Sequence, residues 1–289
     1  MNFENIILGT AQFGMDYGVV NHDGQPSVEQ AQKTLKYFFE NGGQWLDTAP
    51  AYGTSEELLG HLLKGMPQTK IISKTSVDPE LGYSQSVESS LQKLKVDKLG
   101  CLLVHRPDAL LGNKELQKEL IGLKEKGLVS KVGISVYDPQ LAIDLLRQFQ
   151  FDVLQTPCNV FDQRVLATEV SDNLVEHSVE VHCRSIYLQG LLLTECQKIP
   201  KKFAKYSSLF KDYSDNLEKL RISHMQAALG FISSHDDLHK YVIGVDSEEQ
   251  LKELARCEIP RDLSPKFFDQ FAQPSKEILI DPSRWHEIK

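Results

Sequence analysis

The sequence predicts an α/β protein in which eight parallel strands close into a single (β/α)8 barrel, the TIM-barrel architecture. Three observations carry this. Short β-branched or apolar runs alternate with helix-period segments from one end of the 289-residue chain to the other. The runs are apolar throughout rather than alternating, as strands covered on both faces are. The doubly wound open sheet would need a G-x-G-x-x-G turn after its first strand, and "GTAQFG" (9–14) is not one.

The strands expected in order are "NIILGT" (5–10), "QWLDT" (44–48), "KIISK" (70–74), "CLLVH" (101–105), "KVGIS" (131–135), "VLQTP" (153–157), "VEVHCRS" (179–185) and "YVIGV" (241–245). Apolar residues at i, i+3, i+4 and i+7 predict the helices between them. These are "SVEQAQKTLKYFFENG" (27–42), "SEELLGHLLKG" (55–65), "YSQSVESSLQKLKV" (83–96), "NKELQKELIGLKEKG" (113–127), "DPQLAIDLLRQFQ" (138–150), "RVLATEVSDNLVEH" (164–177), "LEKLRISHMQAALGFISSH" (217–235) and "DSEEQLKELARC" (246–257). Several open on Ser or Asp and close on Gly or Asn, as capped helices do. No linker interrupts the alternation, so residues 1–289 read as one domain. The connection from about Leu191 to Asn216 and the tail over about 260–289 read as irregular.

Composition narrows the function. The chain is 41% hydrophobic and 25% charged, with a net charge of -8, which argues against a nucleic-acid or anionic-membrane partner. The one basic cluster, "PKKFAK" (200–205), reads as a solvated loop. The start has neither the basic nor the apolar region of a signal peptide, and no stretch approaches a membrane span, so a cytoplasmic location is expected. Five scattered cysteines (101, 158, 183, 196 and 257) form no C-x-x-C and have no histidine at ligand spacing. Reduced thiols and no metal site are therefore expected, with Cys101, Cys158 and Cys183 in buried strands.

In such a barrel the carboxyl ends of all strands meet on one face, where active sites lie. The second strand ends at Asp47 with Tyr52 in its loop, the third at Lys74 and the fourth at His105. Each residue alone is as well explained by a cap, a packing contact or a solvated strand end; together they make chemical sense. A tyrosine hydroxyl is a proton donor at neutral pH, and a neighbouring ammonium favours its phenolate. Asp47 can keep Lys74 charged and oriented, and His105 can donate to the oxygen that Tyr52 protonates. Such a set stabilises and then neutralises the alkoxide that forms when hydride reaches a carbonyl carbon.

"WLDTAPAYG", "IISK" and "LLVH" resemble the Asp, Tyr, Lys and His motifs of the aldo-keto reductases. "LGTAQFG", "KVGIS", "LQTPCN" and "YVIGVDSEEQL" fall in that family's order, so the resemblance covers nearly the whole chain. It implies a barrel binding NADP(H) or NAD(H) across its carboxyl face, with Asp47, Tyr52, Lys74 and His105 as catalytic residues and Asp47 also beside the cofactor. Ser135 and Gln155 would hold the nicotinamide carboxamide, and Gly9 and Thr10 would pass under the ring and ribose. "CRSIYLQG", with Arg184, Ser185, Tyr187 and Gly190, would lie over the pyrophosphate. Gly244, Asp246 and Gln250 would meet the adenosine end at a helix N-terminus.

Three departures stand out. Val136 replaces the Asn common after the carboxamide-binding serine, and Arg184 replaces the aromatic that stacks on the nicotinamide. NADP is the family's default, yet the Lys or Arg expected around a 2′-phosphate is replaced by Asp246 and Gln250 with Glu248 and Glu249 adjacent. An acidic residue suits a ribose 2′-OH and leans the site slightly toward NAD, although Asp246 and Glu249 also fit a D-x-x-E capping box and Lys252 or Arg256 could reach a phosphate. The substrate expected is a small carbonyl or alcohol compound. The "LGTAQFGMDYG" opening and the "DPSRW" ending resemble reductases of bacterial polysaccharide and sugar pathways, which suggests a sugar-like compound. Residues 15–26 (Asp16, Tyr17 and His22 among them), Arg106, Asn159 and the "DPSRW" end are candidate substrate contacts. Two rivals remain: a Schiff-base aldolase or lyase using Lys74, and a nucleotide-sensing barrel without turnover. A monomer or weak homo-oligomer is expected.

Overall fold

The computed structural model describes residues 3–64, 66, 69–75, 82–260 and 263–288. Its strands are β1 (Ile6–Gly9), β2 (Trp45–Asp47), β3 (Lys70–Lys74), β4 (Leu99–Val104), β5 (Val129–Ser135), β6 (Val153–Pro157), β7 (Glu180–Arg184) and β8 (Lys240–Gly244). They pair in parallel in sequence order, and β8 closes on β1. The expected fold is the one found. Buried on both faces, these strands are continuous apolar runs because each carries one side into the barrel and the other under a helix. Registers such as Gly9 with both Asp47 and Gly244, and Pro157 with Arg184, bring the strand ends level on one rim.

Helices at Val28–Glu40, Ser55–Leu62, Tyr83–Leu94, Lys114–Glu125, Gln140–Leu146, Thr168–Glu176, His224–Ser233 and Glu248–Arg256 complete the eight units. Gly65, expected to end the second helix, lies outside the described residues. Cys101, Cys158 and Cys183 are buried free thiols, as expected.

The connection read as irregular is mostly helical. After short 3-10 turns, Ser207–Leu220 forms a helix whose Phe210, Tyr213 and Leu217 are buried. The helix expected over 217–235 is therefore two elements. The first stops at Arg221, which takes a left-handed conformation (φ 57°), and the second starts at Ser223, whose side chain and that of Gln226 form a reciprocal capping box. The basic cluster keeps its lysines in solvent, as expected, but is not a plain loop: Lys201–Tyr206 is a 3-10 turn that buries Phe203 against Trp285 of the tail, ring centroids 4.8 Å apart. Among the described residues no helix is long and apolar enough to cross a membrane.

Candidate active site

At the rim, β2 and β3 place an aspartate and a lysine side by side. Lys74 Nζ donates to Asp47 Oδ1 at 2.7 Å and to the Thr48 carbonyl at 3.0 Å, and both charged side chains are nearly sealed from solvent, at 1% and 4% exposure. The other carboxylate oxygen, Oδ2, accepts from Gln155 Nε2 of β6 at 2.8 Å, and Ser135 Oγ of β5 reaches Gln155 Oε1 at 3.4 Å. A single hydrogen-bonded chain thus crosses the barrel mouth. With both oxygens of Asp47 engaged, its buried charge is satisfied and Lys74 is held in one position.

Tyr52 stands over this pair: Lys74 Nζ lies 4.7 Å from its ring centroid. Its loop is set by the turn after β1. A Cβ on Gly14 would meet the Tyr52 carbonyl at 1.9 Å, so only glycine lets the two loops come this close. Thr54 N donates to the Gly14 carbonyl at 3.2 Å, and Thr10 Oγ1 donates to the Asp47 carbonyl at 2.8 Å and contacts Ser55 Oγ at 2.9 Å. The buried Thr10 hydroxyl therefore fixes the Asp47–Ser55 connection from inside.

Electrostatics keeps the reactive groups protonated where that matters. Burial pushes the Tyr52 hydroxyl above its ordinary range, with Lys74 opposing it. The sequence pointed to lowering by Lys74 alone; depth of burial reverses the sign. Burial works against the Lys74 ammonium, but Asp47 and Tyr52 outweigh it and the lysine is held above its usual range. His105, one residue past β4, is lowered to about 4 by burial, then by Lys74 and Arg184, so it is a neutral imidazole at physiological pH. Its Nδ1 has no hydrogen-bond partner among the described residues, while its backbone N–H is held by Thr75 Oγ1 at 3.1 Å.

These groups open into a cavity of about 510 Å³. Every catalytic and cofactor-binding residue expected from the sequence lines it: Gly9, Thr10, Asp47, Tyr52, Lys74, His105, Ser135, Gln155, Arg184, Ser185, Tyr187, Gly190, Gly244, Asp246 and Gln250. Of the residues 15–26 offered as substrate contacts, Tyr17, Gly18, Val20 and Asn21 reach the cavity, whereas Asp16 and His22 are not among its lining. Three other substrate candidates are corrected. Asn159 is buried away from the cavity, donating to the Ser185 carbonyl at 3.0 Å and accepting from the Phe161 and Asp162 amides. Arg106 is exposed outside the lining. The "DPSRW" end is structural: Trp285 is buried with its Nε1 donating to the Leu279 carbonyl.

The sequence reading missed Tyr137. Arg184 packs on it: the guanidinium carbon lies 4.0 Å over the Tyr137 ring, and Nη2 donates to the Val136 carbonyl at 3.0 Å. A tyrosine two residues past the β5 end was a readable signal, since Tyr52 was found by the same logic. At the far end the D-x-x-E capping box is also corrected. Ser247 is the cap, accepting from Gln250 N at 3.3 Å, because Asp246 is drawn to other partners: its backbone N–H donates to Gln250 Oε1 and its carboxylate accepts from Asn21 and Gln250. Lys252 is paired with Glu248 and Glu249, and Arg256 with Glu249; neither lines the cavity.

Comparison with known proteins gives a consistent result. The sequence model of the aldo/keto reductase family matches residues 5–274. A 6-dehydroglucose reductase of Agrobacterium fabrum is 29% identical over 181 residues, covering 54% of this chain and 60% of that protein. A methylglyoxal reductase of Yersinia pestis is 31% identical over 115 residues, 38% of this chain and 41% of that one. These matches thus span about half the length of the curated relatives. The solved holo form of an aldo-keto reductase from Bacillus halodurans shares the fold at a TM-score of 0.75 and 20% identity, over 93% of this chain and 92% of that one.

Proposed function

The chain belongs to the aldo/keto reductase family, and from that premise we propose that it is an NAD(P)-dependent oxidoreductase interconverting a carbonyl compound and its alcohol, with Tyr52 as the proton donor and acceptor. The observation that carries this reading is the Asp47–Lys74 ion pair set against the Tyr52 ring beside a neutral His105 at one end of the cavity. The likeness to a 6-dehydroglucose reductase supports a hydroxylated, sugar-like substrate.

The residues present fit a dinucleotide. A Cβ at Gly244 would come within 2.4 Å of the Gln12 side chain, so the glycine leaves room for that amide in the cavity wall at the β8 end. In the same cavity the buried Tyr187 hydroxyl has no partner among the described residues. Ser135 and Gln155 would hold the carboxamide, residues 183–190, with Arg184, the phosphates, and Asp246 with Gln250 the adenosine ribose. When bound, the cofactor supplies or takes up the hydride. Among the described residues lining the adenosine end there is no Lys or Arg, while Asp246, Gln250 and Glu253 are there, which favours the 2′-OH of NAD(H) over a 2′-phosphate.

In the reducing direction Tyr52, a protonated phenol at neutral pH whose proton burial holds more tightly still, donates to the carbonyl oxygen as negative charge develops there. Lys74 stabilises the phenolate left behind and Asp47 keeps the lysine in place. His105, neutral, donates a hydrogen bond to the same oxygen, which polarises the carbonyl without adding a second full charge. A Schiff-base role for Lys74 needs an unprotonated amine, and the 2.7 Å pair with Asp47 opposes that.

The test combines Tyr52→Phe with titration of NADH and NADPH, followed by intrinsic fluorescence. The expected outcome is nucleotide binding near the wild-type Kd, tighter for NADH, with turnover lowered by ~10²-fold or more, the scale of losing a general acid. Near wild-type turnover removes Tyr52 from its role, and binding of neither nucleotide removes the redox reading.

A further inference from the structure

The amino mouth of the barrel, opposite the catalytic rim, gathers more cations than its carboxylates balance. Side chains two apart on a strand share a face, so the layer below the inner apolar cluster can be read from that cluster. Ile72 and Val242 belong to it, and two residues before them come Lys70 and Lys240, the first residues of β3 and β8. Lys131 of β5 pairs in register with Cys101 of the same cluster and therefore points the same way. Three lysines thus enter one mouth.

Their partners are unequal. Lys131 is paired with Glu180, whereas Lys70 and Lys240 have no carboxylate of the described residues within ion-pair distance. Instead both ammonium groups lie over one ring: Trp45, 8% exposed, has Lys70 Nζ at 5.2 Å and Lys240 Nζ at 5.7 Å from its centroid. The ring face attracts each cation without cancelling its charge. Lys240 Nζ also reaches the Glu4 carbonyl at 3.5 Å. Burial holds the Lys240 ammonium below its ordinary range; Glu180 and Glu4 oppose this, and Lys131 and Lys70 add to it, so the cations are close enough to repel one another. In a chain of net charge -8 such a surplus is not a by-product of composition.

Ammonium groups are compact point charges, which select for charge rather than for the planar outline that a guanidinium fork matches. Two of them balance a group carrying close to two negative charges, as a phosphate does at neutral pH; a carboxylate leaves one unbalanced. Lys70 is exposed and Lys240 half-buried, so a ligand reaches both from solvent.

We propose that the amino mouth of the barrel is a binding site for a phosphate group, held by Lys70 and Lys240 beside Trp45. None of the three lines the catalytic cavity.

The test titrates inorganic phosphate and glycerol 3-phosphate by calorimetry, with chloride adjusted to constant ionic strength, into wild type, Lys70→Gln, Lys240→Gln and Arg184→Met. Wild type is expected to bind saturably, either Gln substitution to weaken binding by about tenfold or more, and Arg184→Met to leave it unchanged. Tighter binding of the ester assigns the site to a phosphorylated metabolite, and tighter binding of phosphate to the free ion. Because the two lysines repel, each Gln variant should melt at or above the wild-type temperature without phosphate. Wild type alone should gain a few degrees when phosphate reaches about ten times its Kd. No saturable binding, or binding that both Gln variants keep, overturns the proposal; if Arg184→Met then loses it, the phosphate belongs to the dinucleotide cavity. Should the Gln variants fail to fold, wild-type fluorescence decides, since the other tryptophan, Trp285, is buried in the tail. An emission change that follows the calorimetric Kd and disappears in Trp45→Phe upholds the site, and unchanged emission at saturating phosphate ends it.

Discussion

The two ends of the barrel carry the same residue types arranged to opposite purpose. At the carboxyl rim, Lys74 pairs with Asp47 near Tyr52 and His105; at the amino end, Lys131 of β5 pairs with Glu180 of β7, and His182 Nε2 lies 2.9 Å from Glu180 Oε1. His182 is 1% exposed and lies edge-on to Trp45, which in turn sits under the ammonium groups of Lys70 and Lys240 at 5.2 and 5.7 Å. That assembly is a plug. His105 and Tyr52, in contrast, are partly exposed and share a cavity. A lysine–carboxylate–histidine group becomes a reaction centre through access and an uncommitted proton, not through its composition.

The sharpest way to break the comparison is to remove one lysine from each end. Lys74→Met leaves the Tyr52 phenolate without its cation, and turnover should fall by ~10²-fold or more while nucleotide binding persists. A steady-state assay with residual activity near wild type would show that the rim pair is as structural as the plug. At the other end, Glu180→Gln keeps the shape but removes the charge facing Lys131. It should lower stability by about 1–2 kcal/mol, a melting drop of a few degrees, with kcat/KM unchanged. A large loss of turnover on that substitution would mean the two ends are coupled.

The sequence made this contrast half visible. Asp47, Lys74 and His105 could be found because strand ends on one rim become neighbours whatever the tertiary details, and apolar runs mark where strands end. Arg184 was visible as a residue, but its stacking on Tyr137 was not, since no periodicity says which loop side chains turn inward. The raised pKa of Tyr52 depends on its burial in the folded barrel, and its loop approaches Gly14 under a 1.9 Å constraint that no local pattern announces. The helix break at Arg221 was hidden because its left-handed residue is not a glycine; the Ser223–Gln226 capping box, an S-x-x-Q signal, was there to be read. Tyr137 and the Lys131–Glu180–His182 plug needed the closed barrel before their partners could be known.

The smallest expected effect separates the plug's charge from its shape. Hydrogen bonding from His182, with Lys131 assisting, holds the Glu180 carboxyl at about 2, below its ordinary 4.5. A folded-state value below the unfolded one means the unfolded chain takes up the proton first as pH falls. The stabilisation is therefore complete above about pH 4.5 and is lost progressively toward pH 2. Glutamine at this position resembles a carboxyl that has already been protonated, so the difference between wild type and Glu180→Gln should be constant from pH 7 to 5 and shrink below 4.5. Global acid effects, including that of His105, which resists protonation when folded, act on the two proteins alike to first order and fall out of the difference, whereas His182, whose protonated form Glu180 favours, does not, and its titration opposes the narrowing. Urea midpoints measured in parallel from pH 7 to 3 read it directly. A gap that stays the same width at pH 3 would mean that Glu180 stabilises through packing and neutral hydrogen bonds rather than through charge, and the plug would then be held together by different physics from the Asp47–Lys74 pair above it.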